Sequence, residues 1–335
     1  MCTRRPDTRM ANGMRASLLA LAGLLLTAGV AAAADQATLR LDWTVYGYHA
    51  AFYWALDKGY YREQGVDLKI NEGQGSGKTV QIVASGAEEI GFADFAAMAK
   101  GMGQGMSLKA IYGYMQRSVW GVITWSKDNI RAPKDLIGKS MGVSPGTRPL
   151  FNPFLEANGL GAGQVREVSV SEAVRNQAFL QHKFDTIMTT IVGSGYLLKY
   201  QEGDKIHILP FYDWGLDMLA HGLFVTTKTL QEKPDLLKRV LRAVTQGVVA
   251  GRERPEEAIA LLVKRFPALR GKEEMYLGMY RVSWAHVQTP ASRGKPIGWM
   301  AKEDWTRTQD ILVKTGDVKK ALPVETYYTN DLVPQ

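Results

Sequence analysis

Cysteine is almost missing from this chain of 335 residues; the single one is Cys2. With the first residues removed, nothing remains to form a disulfide, a thiolate metal site or a cysteine nucleophile. Basic blocks interleaved with aromatic residues are also lacking, which argues against nucleic-acid binding despite a formal charge of +8. Histidine is scarce, and His49, His182, His207, His221 and His286 are not spaced as metal ligands. No H-E-x-x-H run occurs, and Ser194 has Val192 and Tyr196 where a nucleophile elbow needs glycines. Residues 73–79, GQGSGKT, imitate a phosphate loop, but Glu72 stands where its first glycine belongs. There is no low-complexity stretch and no repeat of about 20–50 residues. The expectation is a protein that is not an enzyme, with no catalytic residues, no metal and no cofactor.

The N-terminus is rich in what the rest lacks. Arg4, Arg5, Arg9 and Arg15 precede an apolar run over 17–30, and Ala31–Ala34 supplies small residues for a signal peptidase. The run is shorter than the roughly 20 residues that a membrane span needs. Residues 1–34 are therefore expected to be a leader, cleaved near Ala34, on a protein bound for the periplasm. Arg4-Arg5 points toward twin-arginine export, Asp7 points away from it, and a start at Met10 or Met14 would remove the pair. Loss of the leader takes four arginines and one aspartate and lowers the charge to +5. With Cys2 gone no lipid anchor can be attached.

Beyond the leader, strand and helix signals alternate. Strands are expected at 38–43, 66–70, 90–93, 108–112, 121–125, 140–143, 165–168, 186–190, 206–209 and 223–226. Helices fall between them, one opening after Ser171 as N-cap, and from Pro234 onward the pattern is helical: 234 onward, 255–265, 273–287 and 302–314. This order argues for α/β sheets covered by helices on both faces. Two lobes are expected, 37–121 with 222–335, and 122–221 inserted between them. A two-strand hinge near 120–125 and 221–224 would join them, with the ligand at the strand ends between.

Several residues at those ends could meet a ligand. The glycine loop with Gly75 and Ser76 could cup an anion or a polar edge, or be a plain connection. His49, between a strand end and a helix, could touch a ligand, cap the helix or simply pack. Trp43, Tyr46, Tyr48, Trp120, Trp125, Tyr212 and Trp214 offer rings with polar tips, suited to stacking a planar solute or to core packing. Asp94, Asp213 and Arg148 could complete the polar contacts, or be solvated surface charges.

Certain runs are familiar: Asp42-Trp43, His49, Phe52-Tyr53-Trp54-Ala55, Lys58-Gly59-Tyr60-Tyr61, Glu63-Gln64-Gly65-Val66-Asp67-Leu68, Gly91-Phe92-Ala93-Asp94, the block Pro133–Lys139 and Phe211-Tyr212-Asp213-Trp214-Gly215. Across most of 38–245 the chain resembles the thiamine-pyrimidine-precursor (NMT1-like) group of ABC-transporter solute-binding proteins, related to sulfonate, taurine and nitrate binders. The resemblance implies a type II periplasmic-binding-protein fold, two α/β lobes joined by a two-strand hinge. It implies a monomer that captures a small polar, planar solute and hands it to an ABC permease subunit in the membrane. It maps ligand-facing segments onto Asp42, Trp43 and His49, onto Gly75, Ser76 and Asp94, and onto Ser144, Thr147 and 189–191, including Thr190. The expected ligand-binding set is thus Asp42, Trp43, Tyr46, His49, Gly75, Ser76, Asp94, Ser144, Thr147, Arg148, Thr190, Tyr212, Asp213 and Trp214. Two departures stand out. Pyrimidine binders of the group tend to carry a carboxylate in the helix after the 186–190 strand, and here none occurs before Glu202. Eukaryotic relatives that synthesise the pyrimidine carry a cysteine-rich motif that this chain lacks. The alternatives are a pyrimidine-biosynthesis enzyme on the same fold and a periplasmic ligand sensor.

Overall fold

The computed structural model describes residues 1–3 and 33–335, so the expected leader lies almost wholly outside the described residues. Among those described, no helix is long and apolar enough to cross a membrane. From Asp35 the chain alternates as expected: β1 (Asp35–Arg40), α1 (Ala50–Asp57), α2 (Tyr60–Glu63), β2 (Val66–Asn71), α3 (Ser76–Ala84), β3 (Ile90–Asp94), α4 (Phe95–Gly103) and β4 (Leu108–Met115). A second series follows: β5 (Trp120–Trp125), β6 (Ser140–Val143), α5 (Arg148–Ala157), β7 (Arg166–Ser169), α6 (Glu172–Leu180), β8 (Thr186–Thr190), α7 (Ser194–Glu202) and β9 (Ile206–Pro210). The chain closes with β10 (His221–Thr226), α8 (Thr227–Glu232), α9 (Pro234–Glu253), α10 (Pro255–Arg265), α11 (Glu273–Ser283) and α12 (Lys302–Lys314).

These strands make two five-stranded sheets, β2-β1-β3-β10-β4 and β7-β6-β8-β5-β9. The plans are the same. In each, the second strand has parallel neighbours on both sides, and the fourth position holds an antiparallel strand that has just crossed from the other sheet. Strand β5 arrives from β4 and β10 arrives from β9. This is a periplasmic-binding-protein fold of type II. At the crossings, Trp120 and Gly121 pair with Thr190 and Thr189 in the second sheet, while His221 pairs with Asp94 in the first.

Central strands are buried on both faces, so alternate side chains feed different cores. Leu223 and Val225 enter one apolar cluster and Phe224 the other; Ile123 and Trp125 enter the first and Val122 the second. Both clusters draw on both sheets. Helix α9 starts at Pro234, whose missing N–H costs nothing there, and buries Leu237, Val240, Leu241, Val244 and Val248 at helical spacing. Each such side chain stabilises by about 1.5–3 kcal/mol against exposure.

Three details differ from expectation. Strand β1 stops at Arg40 rather than running to residue 43, because Leu41–Trp43 turns aside to bond the glycine loop. Ser171 stands at the start of α6 but makes no side-chain capping bond. Helix α11 ends at Ser283, and a 3₁₀ turn over Trp284–His286 replaces its expected last turn. At the end of the chain, Tyr327 and Thr329 bond the backbone of Ala110 on the outer strand β4, at 2.8 and 2.9 Å. That contact covers an otherwise open sheet edge.

Candidate functional site

Asp42 follows β1 and is buried. Three donors converge on it: His49 Nε2 at 2.7 Å on Oδ1, and Tyr48 Oη at 3.2 Å and His221 Nε2 at 3.3 Å on Oδ2. His49 Nδ1 accepts the Tyr46 backbone N–H at 3.0 Å, which fixes the proton on Nε2. The His49 ring is fully buried with both nitrogens engaged. Burial pushes the Asp42 carboxyl upward, but the bonds from His221 and His49 outweigh it and hold the group well below the usual carboxylate range.

The glycine loop sets this segment in place. Gly75 N–H bonds Asp42 O at 2.7 Å, and Gly73 N–H bonds Trp43 O at 3.0 Å. A Cβ on Gly73 would lie 2.0 Å from Leu41 O, so only glycine fits, and Gly75 has φ +114°. The loop is therefore a packed brace. Ser76, at the start of α3, accepts the Asp94 N–H at 3.1 Å.

Asp94 ends β3. One carboxylate oxygen caps α4 through Ala96 N–H at 2.8 Å, and the other accepts Trp120 Nε1–H at 3.1 Å. That second bond joins the two sheets. Burial pushes the Asp94 carboxyl up; the neighbouring His221, Trp120 and Ala96 only partly offset it. His221 itself loses by burial, but its bond to Asp42 and the charges of Asp42 and Asp94 raise it overall.

The second sheet presents a different set. After β6, the Ser144 N–H bonds Thr147 Oγ1 at 3.0 Å, forming the turn into α5. Arg175, on α6, is 6% exposed. Its Nη1 donates to Ser144 Oγ at 3.1 Å and its Nη2 to Thr189 Oγ1 at 2.6 Å, while Nε has no partner. Thr190, at the end of β8, pairs with Trp120. Tyr46 of the first series reaches across: a Cβ on Gly193 would lie 3.0 Å from its ring.

Asp42, Trp43, Tyr46, His49, Gly75, Ser76, Asp94, Ser144, Thr147 and Thr190 thus all stand where the parallel strands of the two sheets end. Three expected residues lie apart. Arg148 is exposed and pairs with Glu167 at 2.8 Å. Asp213 is exposed, 3.7 Å from Arg117. Trp214 is tied to α5, its carbonyl accepting Asn158 Nδ2 at 2.9 Å. Tyr212 sits at a crossing under the Arg117 guanidinium, 3.6 Å from its ring centre. Two surface hollows, one beside Gly215 and Arg307 and one beside His182 and Glu202, include none of these residues. No group of three or more His, Cys, Asp or Glu among the described residues could hold a metal ion.

Sequence reasoning singled out neither Arg175 nor His221 for the site. Arg175 did carry a signal: it lies four residues before the buried Phe179, on the inward stripe of α6, while Val174 is exposed.

Residues 47–258 match the family model described as NMT1/THI5 like. A formylaminopyrimidine-binding protein of Halalkalibacterium halodurans is 22% identical, over 82% of this chain and 87% of the relative. The riboflavin-binding protein RibY of Chloroflexus aurantiacus is 21% identical over 90% and 86%. A 4-amino-5-hydroxymethyl-2-methylpyrimidine phosphate synthase of Legionella pneumophila is 24% identical over 70% and 75%. Among solved structures, the periplasmic aliphatic sulphonate binding protein SsuA of Escherichia coli superposes with a TM-score of 0.68 at 14% identity, covering 87% of this chain and 96% of that one.

Proposed function

The chain belongs to the NMT1/THI5-like family, and from that premise we propose that it is the solute-binding component of an ABC import system, working in the periplasm. The leader at 1–34 directs export. Residues 37–121 with 222–335 form one lobe and 122–221 the other, with the hinge near 120–125 and 221–224, where the two chain crossings enter β5 and β10. A small polar, planar solute, a thiamine-pyrimidine precursor or a relative of one, enters between the lobes as a guest of the monomer. Its better fit to the closed arrangement drives closure. The closed form docks on the permease subunit, and a separate subunit hydrolyses ATP.

The observation that carries this reading is the convergence of polar strand ends from both sheets, bridged by Trp120 and Asp94. Asp42, Trp43, Tyr46, Gly75, Ser76, Asp94, Ser144, Thr147 and Thr190 are the contacts we assign to the solute, with His49 holding Asp42 in place. A second reading, an enzyme of pyrimidine biosynthesis, draws on the named synthase among the relatives and on the His49–Asp42 pair. Against it, neither His49 nitrogen is free to take a proton from a substrate. The test is thermal shift of residues 35–335 against pyrimidines, flavins, aromatic acids and sulfonates, with chromatography of each recovered compound. A dose-dependent rise, about 2.7 kcal/mol at a hundred times Kd, with the compound unchanged supports the receptor. Turnover would establish the enzyme, and no shift with any class would remove the solute-binding reading.

A further inference from the structure

Arg175 has no structural task that explains its burial. Its two hydrogen bonds go to hydroxyls, those of Ser144 and Thr189, and not to a carboxylate. Nε is buried without any partner. Glu172, one turn earlier on α6, accepts the Ser144 hydroxyl at 3.2 Å and favours the charged guanidinium from there without bonding it. A buried cation with no hydrogen-bonded anion is costly, and a buried N–H without an acceptor adds to that cost. An apolar residue would serve the packing of α6 better, as Phe179 does one turn later. The side chain is bonded to Ser144 just past β6 and to Thr189 on β8, and its charge is favoured first by Glu172 and then by Tyr46 of the first series. It therefore lies where the strand ends of the two sheets meet.

The three groups around it have a common chemistry. A planar guanidinium with a free N–H, beside the Ser144 and Thr189 hydroxyls, suits a negatively charged group with two or three oxygens. The Tyr46 ring offers an apolar face to whatever carries that group. We propose that Arg175, with the hydroxyls of Ser144 and Thr189, anchors an anionic oxyacid group of the solute: a carboxylate, sulfonate or phosphate. This rests on the solute-binding reading above and narrows it to acidic solutes. The solute's oxygens supply the hydrogen-bonded anion that Glu172, held on the Ser144 hydroxyl, does not.

The test compares probes that differ in charge but hardly in shape: benzoate with benzamide, benzenesulfonate with benzenesulfonamide, together with inorganic sulfate and phosphate. Binding to the purified protein is followed by calorimetry and thermal shift for wild type, R175K and R175Q. At least one anion is expected to bind wild type, about 100-fold more weakly to R175Q and with an intermediate loss in R175K. Free R175Q is expected to melt no lower than wild type, because an unpaired buried charge has been removed. A merely structural arginine would lower the melting point and weaken charged and neutral probes alike. If the neutral probes bind both proteins equally and no anion prefers wild type, the anchor is overturned while solute binding stands. If no probe binds either protein, the anchor is overturned and the solute-binding reading loses its support as well.

Discussion

The two sheets share one strand order and opposite furnishings. Where the first sheet ends, two buried carboxylates, Asp42 and Asp94, are met by His49, His221, Tyr48 and Trp120, and Asp42 alone receives three donors. Where the second ends, a buried guanidinium is met only by hydroxyls. The first end is internally neutralised and the second is not. A scaffold can thus be repeated while its strand ends are furnished differently: at one the charges are met by hydrogen-bonded neighbours, at the other a cation is left short of a partner. Strand order depends on the apolar alternation inside the sheets, and the chemistry depends on residues just past their last hydrogen bonds, so the two vary independently.

The largest expected effect is at Asp42. Asp42→Asn removes the charge that His49 and His221 are built around, at a cost of about 3–5 kcal/mol, or roughly 10 °C in Tm. Scanning calorimetry of D42N beside R175Q tests the comparison directly, since equal losses at both ends would erase it. Next is Trp120→Phe, which keeps the ring and deletes the bond to Asp94 between the sheets. The expected cost is about 1–3 kcal/mol in urea unfolding, with a larger radius of gyration by solution scattering; an unchanged radius would mean the bond does not hold the sheets together.

A smaller, signed effect should appear with pH. His221 is raised above its unfolded value, so its contribution is complete below about pH 6.5 and is lost as pH rises through the folded value. Asp42 is depressed, so its contribution is complete above about pH 4 and is lost on acidification. Melting temperature should therefore decline from about pH 6.5 upward in wild type, and H221Q should flatten that limb while keeping the acid one. A limb of the same slope in H221Q would assign it to another group. The smallest effect is at Arg148. Its exposed pair with Glu167 is worth about 0–1 kcal/mol, so Arg148→Ala should leave both stability and solute affinity nearly unchanged. A large loss of affinity would return this arginine to the binding surface.

Much of this molecule could be read before its structure. Alternation of strands and helices gave two α/β units, and Pro234, Pro255 and Lys302 marked helix starts that the structure retains. Asp42, Asp94 and Ser76 were legible as strand-end residues, which is where the structure places them. Arg175 was not, because a lone charge on a short polar helix is normally solvated, and its burial depends on the distant strands β6 and β8. His221 was not legible for the same kind of reason: its partner Asp42 is far away in sequence and close only through β10. The pairing of Arg148 with Glu167 was not legible, because β7 is brought beside α5 only by the fold. The glycine loop was ambiguous until Leu41–Trp43 was seen to lie against it.

The chain supplies β10 only after the whole second sheet. Until His221–Thr226 arrives, β3 and β4 lack the strand that lies between them. A polypeptide emerging N-terminus first, from a ribosome or through a translocon, would hold its first sheet open while more than a hundred further residues appear. Premature closure is thereby discouraged by connectivity alone. If the chain is exported as proposed, this keeps it threadable until nearly all of it has been made, and in either case the last third completes what the first third began.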